Sequence, residues 1–446
     1  MQRLAGFMRT YWSRGTAGRP TPRSLNAFMQ RMWLLALLFK LLGSSWDVSW
    51  HFKWLRDDLA PPHLLNTVGT GIAIGLVLAH SFTGYGVEKA SLRLMQWGTG
   101  IFVIAGPIDI INHRINGLDL TAWSPSHLLL YTGTAIMIAG VIRNWYRTYP
   151  RSAGRSRGWT LGMLALWLFL FEDVFFPQLQ QEYGVLEIAS WFRGAPYAEP
   201  SLLSFAADQL GRPVDDLSLN NFAMPIPPWV YPLWALVICV PLLAFARRMV
   251  GFAFTATAVT AGYLAYRLVI WPLLVVGNFP PSVPPVWLLA LGLAVDLVFL
   301  LRSPVVRTVV GGIGVTAVGY GALWLQATAS GSPTGLGSMD IAQWRTEFET
   351  GHPLRAVPVQ WNTIALAAIG LLITWGIAEW LSGRTMPGQD RPPPLTVEFA
   401  PEPPRNAAGQ LTGPGPAGSA APTGSERADG RPGEHHGHPE GDRQHQ

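Results

Sequence analysis

The sequence predicts an all-α, polytopic membrane helix bundle of about ten transmembrane helices, with both termini cytoplasmic. Three observations carry this. Only 13% of the 446 residues are charged against 49% hydrophobic, about half the charged share of a soluble domain. Apolar runs recur along the chain at about the 20 residues a helix needs to cross roughly 30 Å of hydrocarbon. The Lys and Arg residues fall in short clusters between those runs, which is the positive-inside signature. A net charge of +5 spread in this way has no basic face for nucleic acid to occupy.

The elements follow in order. Residues 1–31 form a basic cytoplasmic arm with Arg3, Arg9, Arg14, Arg19, Arg23 and Arg31, too polar for a cleavable signal peptide. The ten apolar runs cover 32–50, 62–82, 93–112, 125–145, 159–178, 227–246, 250–271, 285–301, 304–328 and 359–381. Inner loops then hold Lys89 and Arg93; Arg143, Arg147, Arg151, Arg155 and Arg157; Arg247 and Arg248; and Arg302 and Arg307. The long opposite loop, 179–225, carries Glu182, Glu187, Glu199, Asp208, Asp215 and Asp216. Two amphipathic stretches within it, LEIASWFRG and LLSFAADQL, are expected in an extracytoplasmic cap, with a lid over a site as the alternative. From 382 to 446 the chain is Pro- and Gly-rich and cannot bury enough apolar surface to fold, which predicts a disordered cytoplasmic tail. The expected location is the cell (plasma or inner) membrane, multi-pass, with the lipid bilayer as first partner.

A single cysteine, Cys239, excludes an intrachain disulfide, a CxxC redox pair and a cysteine-ligated iron–sulfur cluster. The informative residues are elsewhere. Laying the chain on itself at an offset of about 62 residues aligns 46–74 with 108–138. The shared skeleton is Asp47, His51, Asp57, His63, Gly69 and Thr70 against Asp109, His113, Asp119, His127, Gly133 and Thr134. Residues 32–145 are therefore two tandem helical hairpins, followed by an additional membrane region over 146–381.

Asp and His four residues apart share one helix face, and Pro61-Pro62 or Pro125 suits the first turn of the returning helix. Each hairpin thus brings two imidazoles and one carboxylate together across a tight turn. An ionisable group at membrane depth costs about 2.5–3.5 kcal/mol even on the lenient insertion scale, so six of them need partners. A metal supplies the strongest one. Two His and a carboxylate suit copper, iron or zinc, and affinity order alone favours copper. The catalytic and metal-holding candidates are therefore Asp47, His51, His63, Asp109, His113 and His127. Asp57, Asp119, Glu172 and Asp173 are candidates for orienting those ligands, and Trp46, Trp50, Trp54 and Trp123 for walling the site or forming an interfacial belt. The plain alternative is a pair of interfacial polar hairpins in which Asp57 and Asp119 pair with Arg56 and Arg114.

These residues resemble the C subunit of the copper membrane monooxygenases, the particulate methane and ammonia monooxygenase family. That family carries an Asp-x3-His-x12-His copper triad followed by an Asn-x3-His-x13-His triad. Asp47, His51 and His63 match the first with one residue fewer in the loop. Asp109, His113 and His127 match the second, with Asp in place of Asn. The resemblance covers roughly residues 30–145 and implies copper, molecular oxygen and hydroxylation of a small apolar substrate. It has no counterpart beyond 145.

The expected function is accordingly an integral-membrane, copper-dependent, oxygenase-like protein. Electrons would come from a quinol or another chain, and further membrane subunits would complete it. The rivals are a zinc-dependent membrane hydrolase, with Asp57, Asp119 or Glu172 as base, and a non-enzymatic metal-binding or transport protein. An axial His pair for haem fits ligands at helix ends less well. Transport needs polar groups deeper in the membrane, where the sequence offers His80, Asp296 and Glu379. His80 reads as a packed histidine, Asp296 as the partner of an Arg or backbone group, and Glu182 as a weaker candidate of the Glu172 kind. The tail histidines, His435, His436, His438 and His445, read as solvated.

Overall fold

The computed structural model describes residues 10–55, 59–116, 121–148, 156–281, 283–333 and 340–385. At His113, Asn116, Arg384 and Thr385 it describes the backbone alone. The expectations for Asp57, Asp119, the first nine residues of the N-terminal arm and the tail beyond Thr385 lie outside the described residues.

All ten apolar runs are helical, and no strand occurs among the described residues. Among the described residues nine helices are long and apolar enough to cross a bilayer, which makes this a multi-pass helical membrane protein. In chain order the first four are α1 (Arg23–His51), α2 (Pro61–Thr83), α3 (Lys89–Asn116) and α4 (Pro125–Thr148). Next come α5 (Arg157–Phe175) and α6 (Leu179–Phe192), joined by a 3₁₀ turn, Phe176–Gln178. Two short helices follow, α7 (Pro200–Asp208) and α8 (Asp216–Ala223). A π turn, Ala235–Cys239, splices α9 (Val230–Trp234) onto α10 (Val240–Val250). The remainder are α11 (Thr255–Val276), α12 (Trp287–Val298), α13 (Pro304–Val310), α14 (Thr316–Ala329), α15 (Ile341–Glu349) and α16 (Ile364–Thr385), with a second π turn, Gly311–Val315, between α13 and α14. The run expected at 285–301 is the exception in length. Its helix α12 has 12 residues, about 18 Å at 1.5 Å per residue, short of the hydrocarbon thickness.

The loop expected to start at 179 starts later. Helices α5 and α6 form one apolar span of 36 residues, Arg157–Phe192. Its acids mislead because their partners lie far off in sequence. Glu182 accepts from the Tyr231 hydroxyl at 2.6 Å and from Arg267 Nη2 at 2.7 Å. Glu187 accepts from the backbone amides of Tyr197 and Ala198, both at 3.2 Å. A carboxylate so satisfied can be buried, and Glu187, Ile188 and Ala189 are. The stretch LEIASWFRG is thus a buried helix end, not a surface lid. LLSFAADQL largely forms α7, which packs on α8. Asp215 opens α8 with a capping box. Asp216 binds Arg345 of α15 through both carboxylate oxygens, and that guanidinium holds its carboxyl below the usual range.

The repeat is visible in the packing. Helices α1 and α2 form one hairpin and α3 and α4 the other, α2 touches α3, and both α1 and α4 pack on α5. Five helices therefore close a ring. A Cβ on Gly69 of α2 would come 2.5 Å from the Ala36 carbonyl and 3.0 Å from the Lys40 amide of α1. A Cβ on Gly133 of α4 would come 2.9 Å from the Gly98 carbonyl and 2.7 Å from the Phe102 amide of α3. The pairs 36/98 and 40/102 are both separated by 62 residues. Each hairpin is held by the same backbone-to-backbone approach at the same place, and only glycine permits it.

Candidate metal centre

On α1 the side chains of Lys40, Ser44, Asp47 and His51 recur at spacings of four, three and four, which puts them on one face. Pro61 and Pro62 open α2, so His63 sits in its first turn, directly across from the last turn of α1. Asp47 Oδ1 lies 2.8 Å from His63 Nε2 and 3.3 Å from His51 Nε2. The two Nε2 atoms are 3.3 Å apart. Among the described residues this is the group of three able to hold a metal ion.

These distances test the fit. Ligand atoms 2.0–2.1 Å from one ion stand about 3.3 Å apart in a tetrahedron and about 2.9 Å apart on the face of an octahedron. The three observed edges span that range. Asp47 Oδ1 is buried and makes no hydrogen bond of good geometry, although two imidazole nitrogens crowd it. A cation between three converging lone pairs resolves this, so the donor set fits a divalent ion bound on one face with further positions open.

In the second hairpin the acid is deeper. Asp109 is 4% exposed and accepts from Ser126 Oγ at 2.8 Å. His127 Nε2 stands 3.6 Å from the same oxygen, and its Nδ1 lies 2.7 Å from the Thr121 carbonyl. His113 follows Asp109 by four residues on α3. Ser126 occupies the place that Pro62 holds in the first hairpin, since Pro-Pro-His there becomes Pro-Ser-His here. The hydroxyl is thus an additional partner for the second carboxylate.

Both Asp–His sets open onto one cavity of about 420 Å³ at the centre of the five-helix ring. Its walls pair equivalent positions of the repeat: Lys40 with Phe102, Ser44 with Gly106, Asp47 with Asp109, and Thr70 with Thr134. From α5 come Phe169, Glu172, Asp173 and, past the helix, Phe176 and Gln180. Glu172 and Asp173 thus lie on the cavity wall with the Asp–His sets. Glu172, 3% exposed, receives a long hydrogen bond from Ser45. Asp173 Oδ2 is buried with no hydrogen-bond partner among the described residues. No tryptophan lines the cavity. Trp46 and Trp50 pack instead on Phe279, and Trp123 on Trp234, so the expected tryptophan wall is replaced by Phe52, Phe102, Tyr131, Phe169 and Phe176.

The residue that sequence reasoning missed is Lys40. Its Nζ donates to Asn66 Oδ1 at 3.0 Å and Thr70 Oγ1 at 3.3 Å, and it lies 3.8 Å from the Phe102 ring centroid. The available signal was the charge of a lysine inside the first span, seven residues and about 10 Å from Asp47 on the same face. The deeper groups are structural. Trp33 donates to His80 Nε2 at 3.1 Å, and His80 Nδ1 lies 2.8 Å from the Tyr85 carbonyl. Asp296 accepts from the Ala256 and Thr257 amides and pairs with Arg247. Glu379 binds Arg248 and Arg307, and Glu182 is committed to Arg267 and Tyr231, away from the cavity.

Comparison with known proteins adds no relative: no family model, no curated protein and no solved structure matches the chain.

Proposed function

We propose that the protein is an integral-membrane, copper-dependent, oxygenase-like protein acting on a small apolar molecule. The observation that carries this reading is the shared cavity, onto which two Asp–His sets open, one of them with three ligand atoms 2.8–3.3 Å apart. Asp47, His51 and His63 hold one metal, and Asp109, His113 and His127 a second. Bound copper supplies the capacity to activate dioxygen. The chain itself supplies orientation and seclusion. Phenylalanine walls exclude water, which strengthens every polar contact within, and the Glu172 and Asp173 carboxyls face the cavity where protons are to be held. Electrons come from outside the chain, from a quinol or a partner subunit. The clustering of Lys and Arg supports an orientation in which the Asp–His ends face the outer leaflet of the cell membrane.

The test is metal analysis with electron paramagnetic resonance on the wild type, His51→Ala, His113→Ala and the double variant. The expected result is a copper signal with nitrogen couplings that each single substitution halves. Zinc alone, or metal unchanged in the double variant, overturns the reading. Zinc with a colourless, oxygen-indifferent site would favour the membrane hydrolase, for which the presence of Glu172 and Asp173 on the cavity wall is the supporting observation. Transport draws no support from His80, Asp296 and Glu379, whose polar atoms are already engaged.

A further inference from the structure

The junction of α1 with α5 is backed by α11, whose Tyr266 hydroxyl donates to the Leu41 carbonyl at 3.1 Å. The junction of α4 with α5 is filled by aromatic contacts, Tyr131 on Phe176 among them. Helices α2 and α3 pack closely on no helix except their own hairpin mates and each other. Their seam is fastened at the end remote from the histidines, where Gln96 Nε2 donates to Ser81 Oγ at 2.9 Å. Toward the Asp–His end the seam borders the cavity. Its rim there is Thr67 on α2 and Gly106 and Ile110 on α3, all of which line the cavity. Thr67 and Ile110 are at the same time exposed to the surroundings, Ile110 at 48%. A Cβ added to Gly106 would meet no heavy atom within 4 Å, so there is free space beside the wall at that point. Pro107, next to it, removes one backbone hydrogen bond from α3 and weakens the helix where the opening lies. The outer surface at this level presents Val103, Ile104, Ile108 and Ile111, an apolar belt that belongs in hydrocarbon.

We propose that the α2–α3 seam is a lateral portal through which a neutral, apolar molecule dissolved in the bilayer reaches the cavity. The molecule lodges against Phe102 and Phe169, beside the Asp47, His51 and His63 cluster. The volume, about 420 Å³, sits at the small end of ligand pockets, which sets the substrate class: compact, uncharged and lipid-soluble. The rim carries no charge to desolvate. The proposal deepens the oxygenase reading by naming the phase its substrate comes from, yet the route itself does not depend on metal.

The experiment uses metal-free protein in phosphatidylcholine vesicles containing adamantane diazirine, photolysed and mapped by mass spectrometry. Wild type should carry label both on the lipid face, at Val103 and Ile104, and in the interior, at Phe102 and Phe169. Gly106→Phe fills the opening and should cut interior labelling at least tenfold with lipid-face labelling unchanged. Ile110→Trp alters an exposed side chain at the rim and keeps the test valid if the first variant does not fold. Interior positions unlabelled in the wild type, or labelled equally in a folded variant, overturn the portal. Either outcome leaves the metal analysis above unaffected, so failure of the route and failure of the copper reading are separately visible.

Discussion

The two hairpins share a scaffold and differ at the acid. In the first, Pro62 stands before the histidine, and Asp47 has two imidazole nitrogens within 3.3 Å but no hydrogen bond of good geometry to its Oδ1. In the second, Ser126 stands there, donates to Asp109 at 2.8 Å, and His127 Nε2 is 3.6 Å from the carboxylate. One difference in an otherwise repeated turn thus separates an acid whose Oδ1 has two imidazole nitrogens around it from one that also has a hydroxyl. The lesson is that ligand spacing in sequence sets where a site can form, whereas the competition for the carboxylate sets how strongly it binds.

The largest effects should separate the hairpins by ligand removal. His63→Ala takes away one of three donors, and metal affinity at the first hairpin should fall well over about 100-fold, beyond what loss of an orienting neighbour does. Chelator competition reads this directly, and an unchanged affinity would mean that the cluster is not the site. Next come the glycines that hold the scaffold. Gly69→Ala and Gly133→Ala force a Cβ against backbone atoms at 2.5–3.0 Å and should each cost about 1–3 kcal/mol, measured by thermal unfolding in detergent. Gly71→Ala, on the same helix with open space around it, should be neutral or slightly stabilising. Equal losses at 69 and 133 would sharpen the repeat; a loss at 71 of similar size would break the close-approach explanation.

Smaller is the effect of Ser126→Ala. Freeing Asp109 from the hydroxyl should raise metal affinity at the second hairpin about tenfold, within the range that outer partners command, and titration of the His51→Ala background isolates it. No gain would show that the serine does not compete. The smallest effect lies in the cap. The guanidinium of Arg345 lowers the carboxyl of Asp216, so its contribution is present above the unfolded carboxylate range near 4 and lost as pH falls through the lower folded value. The pair is part-exposed and should contribute at most about 1 kcal/mol. Hydrogen exchange in α15 should accelerate at acid pH in the wild type, and at neutral pH in Arg345→Ala. Identical exchange in both would remove the pair from the account.

The architecture was legible because each span had to satisfy its own backbone in lipid, a demand written in run length and hydropathy. The hairpin ligands were legible because a helical period and a proline turn convert spacing into proximity. What was hidden depended on distant partners. Glu182 and Glu187 marked a loop until Arg267, Tyr231 and the Ala198 amide were seen to bury them. Lys40 went unnoticed because its partners, Asn66, Thr70 and Phe102, come from two other helices. The tryptophans near the triad faced Phe279 and Trp234 instead of the cavity, a matter of helix rotation that sequence position alone does not fix. The eighth run had the composition of a span without its length.

The glycine seats at 69 and 133 carry an evolutionary consequence. Main chain resting on main chain asks nothing of the groups that project toward the ring's centre. A duplicated unit joined in this manner can exchange lysine for phenylalanine at positions 40 and 102, or asparagine for leucine at 66 and 130, while its frame stays put. Chemistry in this molecule is therefore free to diversify faster than shape.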